Sequence, residues 1–283
     1  MTFKKIKYYL LTKTVGQYIN VLCIFSPEKA SKLAYELFSE PRTGKLSKEK
    51  LPKTLKEPQH ETFHFNDNTF QTYIWKGNQD IILLVHGWES NASRWKKILP
   101  YLKKSGKTII AIDAPAHGLS SGKEFTVPKY AEVIQELVKK YNPKILIGHS
   151  IGGAACIYYQ YLNQNPNIEK MVLLGSPSDL KNLIINYCNM LSLTSTVQFH
   201  LENTFSEKFN LKVDDFSGKK FGAHINTKAL IVHDAKDDVV SINEGKKIAT
   251  HWKNSTFVQT SGLGHSLHSK YLYKKIEKFL FEA

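Results

Sequence analysis

Arginine is almost missing from this chain. Of its 39 basic residues only Arg42 and Arg94 are arginines. Arginine is the side chain that grips phosphates bidentately and reads base edges, and no basic run is interleaved with stacking aromatics. The formal charge of +14 therefore reads as a lysine-rich solvated surface, and nucleic acid is not expected as a partner. Cysteine is scarce as well. Cys23, Cys156 and Cys188 are odd in number and far apart, and they include no C-x-x-C pair. That pattern suits reduced thiols and a cytoplasmic location rather than a disulfide framework. No stretch reaches the roughly 18 apolar residues of a membrane-spanning helix, and there are no internal repeats or low-complexity segments. What remains is an ordinary globular chain of 283 residues, 42% apolar, long enough to bury a core without cross-links.

The N-terminus has a basic start, Met1 to Lys7, and an apolar step, Tyr8 to Leu11. Lys13, Thr14, Gln17 and Asn20 then interrupt it, so it lacks the continuous apolar segment of a secretory signal. Tyr8, Leu11, Val15, Tyr18, Leu22 and Phe25 step by three and four, which predicts an amphipathic helix with that face packed inward. A peripheral membrane contact is the sharper alternative, helped by Lys4, Lys5, Lys7 and Lys13. Ser26-Pro27 has the form of a second helix start, with Ala30, Leu33, Ala34, Leu37 and Phe38 as its apolar face and Pro41 and Gly44 as its stop. Lysine-rich residues 45–60, with Pro52 and Pro58, read as an extended connector.

Thr62 to Phe65 and Thr69 to Trp75 alternate around Asn66-Asp67-Asn68, as in a β-hairpin. Short, wholly apolar runs follow at Ile81-Val85, Thr108-Ile112, Ile145-Ile147, Met171-Leu174, Ala229-Val232 and Thr256-Val258. Such runs suit parallel strands buried on both faces. Helical patterns fall between them, near 92–104, 127–140, 151–163, 243–252 and 269–281, so the fold class is α/β with helices on both faces of the sheet. Residues 178–222 exceed what a crossover needs and read as a helical cap insertion. The domain reading is an N-terminal extension over 1–60, a core over 61–177 and 223–283, and a cap over 178–222.

The most specific motif is Gly148-His149-Ser150-Ile151-Gly152. It follows an apolar strand and opens a helical run. In that context G-x-S-x-G puts a serine at the tip of a strained turn, with glycines where the backbone is crowded. The helix N-terminus adds free N–H groups and a positive dipole.

With these residues in hand, the sequence resembles the α/β-hydrolase superfamily over about residues 62–281, in particular its capped serine esterases. The resemblance implies a mostly parallel eight-stranded sheet with a helical cap and Ser150 as nucleophile. It implies that Val85-His86-Gly87-Trp88 supplies the Trp88 N–H to an oxyanion hole completed by the Ile151 N–H. It makes Asp113 to Ser120 a structural turn, with Ala116 where glycine is usual and His117 as a turn histidine. The family order is Ser, then acid, then His. Asp237, after the strand ending at His233, fits the acid best. Asp238 is one residue off, and Asp179 would serve if the acid followed the preceding strand. Asp234 stands at a position often taken by glycine and is expected to shape the turn. His265, in Ser261-Gly262-Leu263-Gly264-His265-Ser266, is the expected base, and His268 the start of the last helix.

The implied activity is hydrolysis of a small-molecule carboxylic ester through an acyl-enzyme, with no metal or organic cofactor. Another acyl bond or a carbon–carbon bond on the same triad, or a non-catalytic binding scaffold, are the alternatives. Leu183, Ile184, Tyr187, Met190, Leu191, Phe199, Phe205 and Phe209 in the insertion suggest a small or medium apolar substrate, unless they serve only packing. His60-Glu61-Thr62-Phe63-His64 matches the H-E-x-x-H zinc motif. That motif needs a helix, whereas a strand would part its histidines by about 13 Å.

Overall fold

The computed structural model describes residues 3–282, with side chains from residue 6 onward. The side chains of Lys4 and Lys5 lie outside the described residues. The helices are α1 (Phe3–Phe25), α2 (Pro27–Ser39), α3 (Lys53–Lys56), α4 (Leu99–Lys103), α5 (Val127–Tyr141) and α6 (Ile151–Asn163). They continue with α7 (Leu180–Leu191), α8 (Ser195–Phe209), α9 (Gly218–Gly222), α10 (Ile242–His251) and α11 (Lys270–Phe281). The strands are β1 (Gln59–Phe65), β2 (Asn68–Trp75), β3 (Asn78–Val85) and β4 (Lys107–Ile112). The last four are β5 (Ile145–His149), β6 (Lys170–Leu174), β7 (Lys228–Asp234) and β8 (Ser255–Thr260).

The chain forms two compact units. One is Met1–Glu40 with Asp179–Ser217, and the other is Pro41–Ser178 with Gly218–Ala283. These borders differ from those read in the sequence. Residues 41–60 join the sheet unit instead of the N-terminal extension. Lys45 bridges to Gly118, and Leu55 is fully buried in the sheet's core, where a leucine contributes about 2 kcal/mol. Residues 1–40 share a unit with 179–217, while 178 and 218–222 of the expected cap join the sheet unit.

In the sheet unit eight strands run in the order β1-β2-β4-β3-β5-β6-β7-β8. β2 is antiparallel to both neighbours, and the pairs from β4 to β8 are parallel. The hairpin and all six apolar runs appear as strands, because a run buried on both faces leaves little choice of period. Ile82, Leu84, Ile109, Ile147, Val172 and Val232 are buried in one core with Trp95 and Leu272. The parallel strands send the turns after β3, β5, β7 and β8 to their common carboxyl edge, where α/β sheets carry their sites. β1 pairs His60 with Tyr73 and His64 with Thr69. The H-E-x-x-H residues are thus on a strand, and their spacing does not converge on one metal.

In the helical unit α1 packs through Thr12, Gly16, Ile19 and Cys23. The expected stripe was displaced, since Tyr8, Leu11, Tyr18 and Phe25 are all more than half exposed. The helix is apolar nearly all round, so its periodicity does not select one face. Close approach selects it instead, because a Cβ on Gly16 would stand 1.7 Å from the Leu191 carbonyl oxygen. Lys13 donates to the Met190 carbonyl (3.0 Å) and the Ser192 hydroxyl (2.7 Å), closing the C-terminus of α7 as a cation does. Asn20 accepts from Thr194 N–H (2.9 Å) and donates to the Ser192 carbonyl (2.9 Å). Alanine is a better helix former than glycine by about 1 kcal/mol, so the sign of Gly16→Ala isolates this packing. It is expected to loosen α1, seen as faster amide exchange in α1 and α7. Unchanged or slower exchange would show that the two backbones are not in contact.

Candidate active site

The site begins with a backbone conformation. β5 ends at His149 and α6 begins at Ile151, so Ser150 takes the whole reversal. Its φ of 53° and ψ of −130° cost a non-glycine residue about 1–3 kcal/mol. The Ser150 N–H donates to the Leu174 carbonyl at the end of β6 (2.8 Å), and the Ser150 carbonyl accepts from Gly153 (2.9 Å). A Cβ on Gly152 would lie 2.3 Å from the His86 carbonyl oxygen, and one on Gly148 2.5 Å from Gly153 Cα. On Gly87 it would meet Ser150 Cβ at 2.8 Å. The elbow therefore fits against the end of β3 only because these three positions carry no side chain.

Asp237 lies in the turn after β7 with its side chain fully buried. One oxygen accepts the N–H groups of Val239 and Val240, each at 2.9 Å. The other accepts from His265 Nδ1 at 2.8 Å and lies 3.5 Å from His233 Nε2. Burial alone would raise the carboxyl's pKa. The hydrogen bonds from His233, His265, Val240 and Val239 outweigh it and hold the group well below the ordinary carboxylate range. An ionised carboxylate only accepts, so His265 carries its proton on Nδ1 and leaves Nε2 as the basic nitrogen.

The structure ties the elbow to the His265 loop through His149. Its Nε2 donates to the His265 carbonyl (2.8 Å), and the two rings are 4.8 Å apart. Burial, and the nearby Arg94 charge, push His149 well below its usual pKa, so it stays neutral. No hydrogen bond joins Ser150 Oγ to His265. Such links are often long before a substrate arrives. Among the described residues the Trp88 and Ile151 N–H groups have no backbone acceptor; Ile151 directly follows Ser150, and Trp88 directly follows Gly87, where a Cβ would meet Ser150 Cβ at 2.8 Å. Of the other candidates, Asp238 is exposed. Asp179 belongs to the helical unit and accepts the Ser217 hydroxyl (2.5 Å). His268 bonds the Tyr273 hydroxyl (2.6 Å). His117 spends both ring nitrogens on the backbone, donating to Pro115 (2.8 Å) and accepting from Glu89 (2.9 Å). Burial lowers its pKa to about 4.

A family model described as the alpha/beta hydrolase fold matches residues 80–209. The chain has the alpha/beta hydrolase fold. A serine hydrolase-like protein of Danio rerio is 30% identical over 115 residues, 37% of this chain and 35% of that protein. A monoacylglycerol lipase of Mycolicibacterium smegmatis is 24% identical over 117 residues, 37% of this chain and 41% of that protein. The chain spans less than half the length of these relatives. The structure of a hydrolase from Pseudomonas aeruginosa matches with a TM-score of 0.62 at 17% identity, covering 78% of this chain and 98% of that one.

In this fold two supports of the site carry no motif. Asp234, fully buried at the end of β7, does more than shape its own turn. Its carboxylate accepts the Thr260 hydroxyl (2.7 Å) and the N–H groups of Lys236 (2.9 Å), Gly262 (3.1 Å) and Leu263 (3.0 Å). It thus grips the loop that carries His265. Arg94 donates to the Ser266 carbonyl in the same loop (3.0 Å). Asp113 plays the matching part after β4, accepting Ala92 N–H, Leu119 N–H and the Tyr73 hydroxyl at 2.8–2.9 Å. Ala116 in that turn has φ 63°, the conformation that glycine takes without strain. A carboxylate at a strand end was the available signal for Asp234, but apart from the Lys236 N–H its partners lie in β8 and beyond. Burial would raise the pKa of Asp234, and the bonds from Thr260, Leu263 and Lys236 outweigh it and hold it at about 2. A depressed folded pKa stabilises at neutral pH, and that stability is lost as pH falls through about 4 toward 2. Asp234→Ala, which strips several buried donors of their acceptor, is expected to cost about 3 kcal/mol at pH 7. Thermal melts of the two proteins would check this. Their difference should shrink toward pH 2, and a difference that grew there would contradict the assignment.

Proposed function

We propose that this chain is a serine hydrolase that cleaves a carboxylic ester through an acyl-enzyme. The observation that carries the reading is the Asp237–His265 hydrogen bond, which commits the Nδ1 proton and leaves Nε2 to act as the base. A serine hydroxyl needs such a base to become nucleophilic. In the first step Ser150 Oγ attacks the ester carbonyl while its proton passes to His265 Nε2. The N–H groups of Trp88 and Ile151 take the developing oxyanion, at about 3 kcal/mol per donor by comparison with side-chain donors. His265 then gives the proton to the departing alcohol. In the second step it takes a proton from water, which attacks the acyl-serine, and returns that proton to Ser150 as the acid leaves. Asp237 keeps the ring in one tautomer and steadies the imidazolium.

The relative named as a monoacylglycerol lipase supports an ester, and the one named serine hydrolase-like supports a serine nucleophile. An apolar acyl group has less support than the sequence suggested. Ile184, Tyr187, Leu191 and Phe205 are buried in the helical unit with Ile19, Ala30 and Ala34, so their apolar character follows from helix packing.

The test is intact mass after a fluorophosphonate, with turnover on p-nitrophenyl esters of graded chain length. One adduct is expected on the wild type and none on Ser150→Ala, whose kcat should fall by about 10⁶. Asp237→Asn, which presents the wrong tautomer, should lose about 10⁴. A wild type that neither labels nor turns over any ester would overturn the proposal and leave a binding scaffold.

A further inference from the structure

The exposed large apolar side chains of this protein are concentrated on one helix. Among the described residues fourteen are exposed, and nine of them lie on α1: Ile6, Tyr8, Tyr9, Leu10, Leu11, Tyr18, Val21, Ile24 and Phe25. On a helical wheel Ile6, Leu10, Val21, Ile24 and Phe25 fall together, opposite the packed stripe of Thr12, Gly16, Ile19 and Cys23. Single exposed apolar residues are ordinary, but nine on one helix between Ile6 and Phe25, with the polar Thr14 and Gln17 between their two groups, mark an interaction surface. The helix is about 35 Å long and already satisfies its own packing within the helical unit. The outer face is therefore surplus to the fold.

We propose that this outer face of α1 lies flat on an anionic lipid surface. The charge pattern selects that occupant. The first 27 residues contain Lys4, Lys5, Lys7 and Lys13 and no acidic residue, in a chain of net charge +14. Lys13 is held at the end of α7, while Lys7 is exposed beside the strip. A second copy of this face would bring no counter-charge, because the face has none to offer. An anionic bilayer supplies both the apolar layer and the opposite charge. Tyr8, Tyr9 and Tyr18, each exposed by 52–60%, have the amphipathic rings that favour the headgroup level. No helix among the described residues is long and apolar enough to cross a membrane, so α1 binds in the plane. This contact uses no residue of the triad and stands or falls apart from it.

The test is flotation of the full chain with vesicles of phosphatidylcholine alone, or with about 30 mol% phosphatidylglycerol. The comparison is Leu10→Glu with Ile24→Glu, both on the outer face and clear of the packed stripe, with thermal melts confirming the fold. Wild type is expected to float with the anionic vesicles about tenfold more than with the neutral ones, less so in about 0.5 M salt. The double variant should lose about tenfold with an unchanged melt. Equal flotation of the two proteins, no preference for anionic lipid, or no flotation at all would overturn the proposal. A wild-type dimer that the double variant converts to monomer would assign the face to a second copy instead.

Discussion

Backbone contact without side chains, at the elbow, is the constraint on which the active edge depends. Val85 and His86 present their carbonyls where a Cβ on Gly152 would sit, and Gly153 occupies the space beside Gly148. Only under that condition can α6 start directly at the end of β5 and hold Ser150 at positive φ. The strain at Ser150 is met by bonds on both sides, to Leu174 in β6 and from Gly153 in α6. Widening the contact by one methyl group would shift the Ser150 hydroxyl, the Ile151 N–H and the Trp88 N–H together, since all three are carried by the segments that meet there.

Around this contact the protein relies on buried carboxylates. Asp113, Asp234 and Asp237 all follow the carboxyl ends of parallel strands and are all removed from water. A buried charge is tolerated only where donors surround it. The donors here are mostly backbone N–H groups of the loops that need holding. Asp113 fixes the turn beside Trp88, Asp234 the loop before His265, and Asp237 the His265 ring itself. Their electrostatics differ accordingly. Burial raises the carboxyl of Asp113, while hydrogen bonding outweighs burial at Asp234 and Asp237. The geometry of His265 is thus set by two carboxylates three positions apart in one turn.

The helical unit shows how composition can mislead about function. An aromatic, apolar insertion suggests a lid selecting apolar substrates. Its buried residues instead meet α1 and α2, with Tyr187 donating to the Ala34 carbonyl (2.9 Å) and Ser31 to the His200 carbonyl (3.0 Å). Most of the apolar surface not used in this way is on the outer side of α1, with Met190 and Phe199 exposed in the insertion.

The sheet and the elbow were legible in the sequence because each rests on local physics, whereas the order Ser150, Asp237, His265 came from the resemblance to a family, to which the structure adds the Asp237–His265 hydrogen bond. A strand buried on both faces must be apolar, a crowded turn must have glycine, and a loop that returns a histidine to the sheet edge needs flexible neighbours. Asp237 was preferred to Asp238 on its match to the family pattern, and its side chain is the one that bonds His265. The sequence by itself therefore determined the fold class and which residues could supply the chemistry. Tertiary structure alone decided the rest, because the remaining choices turn on partners distant in the chain. Asp234 is an ordinary turn aspartate until Thr260 and the 262–263 amides close on it, and His149 is an elbow filler until it meets the His265 carbonyl 116 residues later. The packed face of α1 was decided by Gly16 meeting Leu191, a contact that no periodicity within a helix apolar on every side could reveal.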